Sequence, residues 1–229
     1  MSIVCIEHVI KDYRQNGIAV QALRGIDMII DKGEFMALVG PSGSGKTTLL
    51  NLIGGLDTPS SGRIWIGKQE IGKLSKRELS TLRLWKVGFV FQEYNLIPVL
   101  SALENVEYVM LLQKIPDEER RKRSMAVLAE VGLKGLEHRR PQELSGGQQQ
   151  RVAVARAIVS EPTIVLADEP TANLDSTTGG ALLDLMRDLN ERHQVTFIFS
   201  THDPMVMKRA KRLVQLKDGQ IVNDKTKTS

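Results

Sequence analysis

The sequence predicts an α/β fold: a mainly parallel sheet, antiparallel strands ahead of it and a helical portion inserted into it. Three observations carry the prediction. The short runs Val87–Phe91, Thr163–Ala167 and Thr196–Ser200 are each about a strand long and almost wholly apolar, so they read as central strands covered on both faces. Helical periodicity lies between and after them, with Met125, Leu128 and Val131 on one face and Leu182, Leu185, Met186 and Leu189 on another. The first third instead carries strand-like stretches bounded by turn residues.

In chain order, strands are expected at residues 3–9, 20–31 and 62–67, with turns at Asp31-Lys32-Gly33 and Pro59-Ser60-Ser61-Gly62. Met36–Val39 is an apolar run that ends in a glycine-rich loop, and a helix follows from Thr47 to Leu56. Past Gln92 the pattern turns helical to about residue 160, including Ser124–Leu133. Asp117–Glu119 followed by Arg120–Arg123 suits the exposed start of a helix. A last hairpin pairs Leu213–Leu216 with Gln220–Val222 through Lys217-Asp218-Gly219. The expected organisation is a single domain over residues 1–229. Residues 1–92 and 161–229 form its core with the antiparallel strands, and residues 93–160 form a helical subdomain.

A chain of 229 residues, 41% hydrophobic and 25% charged, can bury a sizeable core without disulfides. Its net charge of +4 is spread along the chain and lacks an aromatic platform, so no nucleic-acid partner is expected. The lone Cys5 allows neither an internal disulfide nor zinc spacing and reads as a small buried hydrophobe on a strand. There is no signal-peptide pattern and no run of the ~20 apolar residues that a membrane crossing needs. The expectation is an intracellular chain whose membrane role, if any, comes through a partner.

The chemistry sits in three segments. Gly40-Pro41-Ser42-Gly43-Ser44-Gly45-Lys46-Thr47-Thr48 has a strand before it and a helix after it, the context of a phosphate-binding loop. Its glycines let backbone N–H groups curl round phosphate oxygens, and the helix start adds a positive dipole end. Lys46 would reach the β- and γ-phosphates, while the Thr47 hydroxyl would ligate Mg²⁺. In the second segment an apolar strand ends in the adjacent carboxylates Asp168 and Glu169, which is costly unless they meet a cation. Asp168 suits the Mg²⁺ shell, and Glu169 suits a general base for the attacking water. The third, Leu144-Ser145-Gly146-Gly147-Gln148, opens a helix and makes a second anion-binding start; a simple cap by Ser145 is the blander alternative.

With these motifs in this order, the chain resembles the nucleotide-binding subunit of an ABC transporter along nearly its whole length. The resemblance implies a RecA-like P-loop core and ATP as substrate. It gives Tyr13 the role of stacking on adenine, Gln92 a contact to Mg²⁺ and the attacking water, and His202 a contact to the γ-phosphate. Asn173, Leu174 and Asp175 match the loop that communicates between two sites, and Ser145, Gly146, Gly147 and Gln148 would cap a nucleotide held by a second copy. The stretches Val87–Pro98, Ala102–Val106 and Gly54–Gly62 resemble the LolD/MacB branch, which drives lipoprotein release or peptide and macrolide efflux.

That branch implies transmembrane permease partners and a peripheral place on the cytoplasmic face of the membrane. Tyr94, Leu96, Ile97 and Leu100 would form a groove for a permease helix, with ordinary core packing the other reading. The alternative function is an ATP-dependent regulator of a membrane complex, of the cell-division type, without net transport. A soluble ATPase of DNA repair or translation would call for a coiled-coil insertion, zinc cysteines or a tandem domain. Two departures stand out: Leu84-Trp85-Lys86 ahead of Val87, and Gly179-Gly180, which weaken a helix start by about 1 kcal/mol each.

Overall fold

The computed structural model describes residues 1–15 and 18–227. Among the described residues, ten strands and seven α-helices follow in chain order: β1 (Ser2–Gln15), β2 (Ile18–Asp31), β3 (Phe35–Val39), α1 (Lys46–Ile53), β4 (Ser61–Ile66), β5 (Gln69–Glu70), α2 (Lys76–Lys86), β6 (Val87–Val90), α3 (Ala102–Leu112), α4 (Asp117–Glu130), α5 (Gly146–Ile158), β7 (Ile164–Asp168), α6 (Ser176–His193), β8 (Thr196–Thr201), α7 (Pro204–Arg209), β9 (Arg212–Lys217) and β10 (Gln220–Thr226). One sheet is antiparallel, in the order β2-β1-β4-β5. The other runs β10-β9-β3-β8-β7-β6, parallel except for the β9–β10 hairpin. The α/β class with a mainly parallel sheet is thus observed.

The central strands are almost wholly apolar because each divides its side chains between two cores. Phe35, Ala37 and Val39 of β3 face one core, where α3–α6 pack, while Met36 and Leu38 face the other, with α1 and the antiparallel sheet. In β7 and β8, Val165, Ala167, Phe197 and Phe199 join the first core, and Ile164, Leu166 and Ile198 the second.

The first two strands run longer than their sequence pattern, and a pair of bulges explains why. In β1 the buried residues change phase from Val4 and Ile6 to Val9 and Lys11. The register slips between Ile6 and Val9, and His8 there has φ 45°. In β2 the phase changes between Leu23 and Ile26, across Gly25 at φ 78°. Strict alternation therefore fails mid-strand although pairing continues. Cys5 corrects the expectation of burial: it lies on β1 opposite in phase to Val4 and Ile6 and is only half-buried.

Helix ends differ from expectation for local reasons. The first helix stops at Ile53 because Gly54 and Gly55 follow it. The fourth begins at Asp117, where its acidic first turn meets the helix dipole, and it is over before Gly132 at φ 77°. The sequence pattern missed α2, although Ser75 and Glu78 start it with a reciprocal capping box. Gly179 and Gly180 are buried in α6. A Cβ at Gly179 would stand 3.4 Å from both Thr171 and Met205, and one at Gly180 would stand 3.3 Å from Arg209. Their helix cost is met by close packing against α7 and the segment after β7.

Candidate functional site: a phosphate loop beside two strand-end carboxylates

Strands β3, β8 and β7 are parallel neighbours, so their carboxyl ends lie side by side. The loop after Val39, the pair Asp168-Glu169 and the Thr201-His202 step all issue from that edge, where ligands gather in open α/β sheets.

The phosphate loop is shaped by its backbone. Gly45, the N-cap of α1, is left-handed at φ 101°. A Cβ there would come within 2.7 Å of Leu23 and 2.8 Å of the Ala22 carbonyl oxygen, so only glycine fits. Lys46, 7% exposed as a residue, donates from its ammonium to the carbonyls of Gly40 (2.8 Å) and Pro41 (2.9 Å), which draws it across the loop. Ser44 is buried, its N–H bonded to the Pro41 oxygen and its carbonyl to the Gly219 N–H. Pro41, Ser42, Gly43 and Thr47 are exposed, and Thr48 is half-buried. The Thr47 hydroxyl donates to Asp168 Oδ1 at 3.2 Å.

The second carboxylate is held differently. Glu169 has φ 44°, which turns the chain sharply at the end of β7. Its Oε2 accepts from the Thr201 hydroxyl (3.0 Å), and its Oε1 lies 2.7 Å from His202 Nδ1. Against an ionised carboxylate, which only accepts, Nδ1 is the donor of that bond. Thr201 Oγ1 in turn accepts from the Asp203 N–H, and Asp203 caps α7 while accepting from Thr171. The structure thus brings together Lys46, Thr47, Asp168, Glu169 and His202.

Behind this network, Arg209 of α7 forks onto Asp184 of α6 at 2.8 and 3.1 Å. The Arg209 hydrogen bond, aided by its charge, holds the Asp184 carboxyl below the ordinary range although burial works against it. A depressed carboxylate stabilises the fold above its unfolded pKa, about 3.9, and that stabilisation is lost as pH falls through the lower folded value. Asp184 is 46% exposed, so solvent screening limits the pair to at most about 1 kcal/mol. Asp184→Asn is therefore expected to unfold at a lower temperature than the parent above pH ~4, with the gap closing at more acid pH. Thermal melts across that range check it, and a gap that persists or widens in acid would contradict the pair's role.

Other predicted residues are held by partners of their own. Tyr13, at 36% exposure, donates its hydroxyl to Asp57 at 2.9 Å. Gln92 follows β6, and its carbonyl accepts from Asn173 at 3.1 Å. Asp175 caps α6 through the N–H groups of Thr177 and Thr178. Ser145 and Gln148 form a reciprocal capping box at the start of α5. Gly146 and Gly147 are half-buried there, where a Cβ would strike the Tyr94 hydroxyl and the Thr178 methyl respectively. Among the described residues no hydrogen bond joins Leu144–Gln148 to Gly40–Thr48.

The sequence reading missed Gln150. It is fully buried and donates to the carbonyls of Phe91 (3.2 Å) and Pro170 (2.8 Å), tying α5 to the segments that precede Gln92 and follow Glu169. The signal was a polar side chain in an otherwise apolar helix stripe. The stretch expected to form a groove, Tyr94, Leu96, Ile97 and Leu100, is half-buried. Leu96 packs on the core, and buried Asn105 pins the backbone of Ile97, Leu100 and Ser101. A cavity of about 670 Å³ opens beside them, between α2, β6, α3 and α5.

Comparison with known proteins identifies the family. The family described as ABC transporter matches residues 23–172. An ABC transporter ATP-binding protein of Thermotoga maritima is 45% identical over 211 residues, 92% of this chain and 90% of that one. The macrolide export ATP-binding/permease protein MacB of Brucella melitensis is 45% identical over 225 residues; the match takes in 98% of this chain and only 35% of MacB. Among solved structures, the dimeric post-hydrolysis state of the ATP-binding cassette MJ0796, from Methanocaldococcus jannaschii and bound to ADP and Pi, superposes with a TM-score of 0.90. It is 42% identical, with 99% of each chain covered. The chain belongs to the ABC transporter family, as an ATP-binding and ATP-hydrolysing cassette of its MacB/LolD branch.

Proposed function

We propose that this chain is the energy-supplying subunit of a membrane exporter or extractor, working as a head-to-tail pair of copies that close on two Mg-ATP. One observation carries the reading: Lys46, Thr47, Asp168, Glu169 and His202 converge on one sheet edge, whereas Ser145–Gln148 form a helix start of their own with no bond to that loop. The first group is half of a site, and the second is the other half, supplied by another copy. The solved relative MJ0796 is itself described as dimeric.

In this reading Gly40–Thr48 cradles the triphosphate of ATP and Tyr13 stacks on its base. Glu169, aimed by Thr201 and His202, takes the proton of the attacking water. His202 holds the γ-phosphate, Gln92 holds the water, and Ser145, Gly146, Gly147 and Gln148 of the second copy close over the γ-phosphate at a helix start. Asp175 keeps the segment between the two halves in shape through its cap on α6.

The oxygen-only donors Thr47 and Asp168, 3.2 Å apart, fit Mg²⁺, which takes few protein oxygens and fills its octahedron with phosphate oxygens and water. Gln92 would add a carbonyl oxygen. When bound, the metal neutralises charge on the β- and γ-phosphates.

Residues 93–160 act as the helical subdomain that carries the second half-site. The cavity between α2, β6, α3 and α5 has an apolar floor of Leu84, Phe89, Val109 and Leu112 and suits a helix of a permease subunit. No helix among the described residues is long and apolar enough to cross a membrane; in this reading the chain acts from the cytoplasmic face through such a partner. The cargo class is lipoprotein, peptide or drug, by likeness to MacB.

Light scattering tests the paired site. Glu169→Gln with ATP and Mg²⁺ should double in mass, and adding Ser145→Arg should return it to the single-copy mass. A chain that stays single at saturating ATP rules out the paired site.

A further inference from the structure

Tyr13 does not stand alone at the rim of the site. Its hydroxyl donates to Asp57 Oδ2 at 2.9 Å, and the Lys11 ammonium lies 4.8 Å from its ring centroid. Lys11 also donates to Asp57 Oδ1 (2.7 Å) and to the Thr58 carbonyl (2.8 Å), and it is nearly buried, with its side chain 11% exposed. One aromatic, one cation and one carboxylate thus form a closed triangle.

That triangle is tied to the phosphate loop from behind. The Asp57 N–H donates to the Asn51 carbonyl of α1, the helix that begins at Lys46. The turn that follows is fastened to β1 twice, by the Ser60 N–H on Ile10 and by the Asp12 N–H on Ser60 Oγ. Asp57 therefore joins the strand that carries Tyr13 to the helix that carries the loop.

We infer that Asp57, with Lys11, is a positioning residue for ATP. It sets the Tyr13 ring at a fixed distance from Gly40–Thr48 and leaves one ring face for the base, the other being covered by the Lys11 ammonium. The inference rests on the proposed stacking role of Tyr13. A cation on one face of a ring makes that face unavailable and is itself held by the ring quadrupole. The titration of the pair fits this geometry. Burial pushes the Tyr13 phenol up, and the Asp57 hydrogen bond and charge add to it, against a pull from Thr48. Burial acts to raise the Asp57 carboxyl, but hydrogen bonds from Lys11, Thr58 and Tyr13 outweigh it and keep the group low.

The test separates the base from the phosphates. Binding of Mg-ATP and of Mg-tripolyphosphate, which has no base, is measured by calorimetry for the parent, Tyr13→Ala, Tyr13→Phe, Asp57→Ala, Asp57→Asn and the double variant Tyr13→Phe/Asp57→Ala. Asp57→Ala should weaken ATP about threefold to tenfold, the worth of one hydrogen bond, with tripolyphosphate changed less than about twofold. Steady-state turnover should show the same loss in KM with kcat nearly unchanged. Asp57→Asn should recover part of the affinity, and the double variant should be no weaker than Asp57→Ala alone. If Tyr13→Ala loses ATP selectively but Asp57→Ala does not, the positioning role is wrong and the stacking role stands. If Tyr13→Ala binds ATP as the parent does, the stacking role fails and the inference falls with it. Equal loss of ATP and tripolyphosphate in Asp57→Ala also overturns it, because the residue would then act on the loop and not through the ring.

Discussion

Glu169→Gln is expected to lower ATP hydrolysis by about 10² to 10⁴-fold, the worth of a positioned general base, while ATP still binds. The substitution keeps the shape of the side chain. Its amide oxygen still accepts from Thr201, whose hydroxyl sits 3.0 Å from the carboxylate, so the turn at φ 44° and the Thr201–Asp203 contact stay in place. It removes the ability to take a proton from water, and His202 Nδ1 must then accept from the new amide in place of donating to a carboxylate. Phosphate release at saturating ATP measures the loss, and calorimetry on the same sample measures binding. Turnover within about tenfold of the parent would falsify the role given to Glu169.

Gly147→Ala is expected to cost turnover about 10²-fold, the scale set by a misplacement of roughly 1 Å in a reacting site, with ATP binding to the single chain nearly unchanged. The structure complicates the simple test, because the new Cβ would strike the Thr178 methyl of α6 in the same chain. Turnover could then fall through misplaced helices and not through the second copy. Thr178→Ser removes that methyl, so the decisive variant is Gly147→Ala with Thr178→Ser. If turnover stays low in the double variant, the added methyl acts across the paired site. If it recovers while binding is untouched, the glycine serves packing between α5 and α6, and the two-copy site loses its support from this residue.

How much of this was legible beforehand follows from the range of each signal. The phosphate loop could be read because Gly40, Gly45, Lys46 and Thr47 are local: a tight backbone and the start of a helix need those residue types at that spacing. The core strands could be read because burial on both faces demands apolar runs, as Phe35–Val39 and Phe197–Phe199 show. Capped helices with little apolar signal were less visible, and α2 passed unnoticed although Ser75 and Glu78 mark its start.

The sequence by itself therefore determined the α/β class, the three motifs and the family that their order implies, since each rests on neighbours along the chain. Tertiary structure alone decided the rest. It set Glu169 against Thr201 and His202, and Asp168 against Thr47, because those contacts join strands far apart in sequence. It turned the unfavourable Gly179-Gly180 into a packing surface and opened a cavity between α2, β6, α3 and α5. It also bound Tyr13 to Asp57, 44 residues away. A hydrogen bond between distant residues leaves no periodicity to read; it exists only once the sheet has brought its strands together.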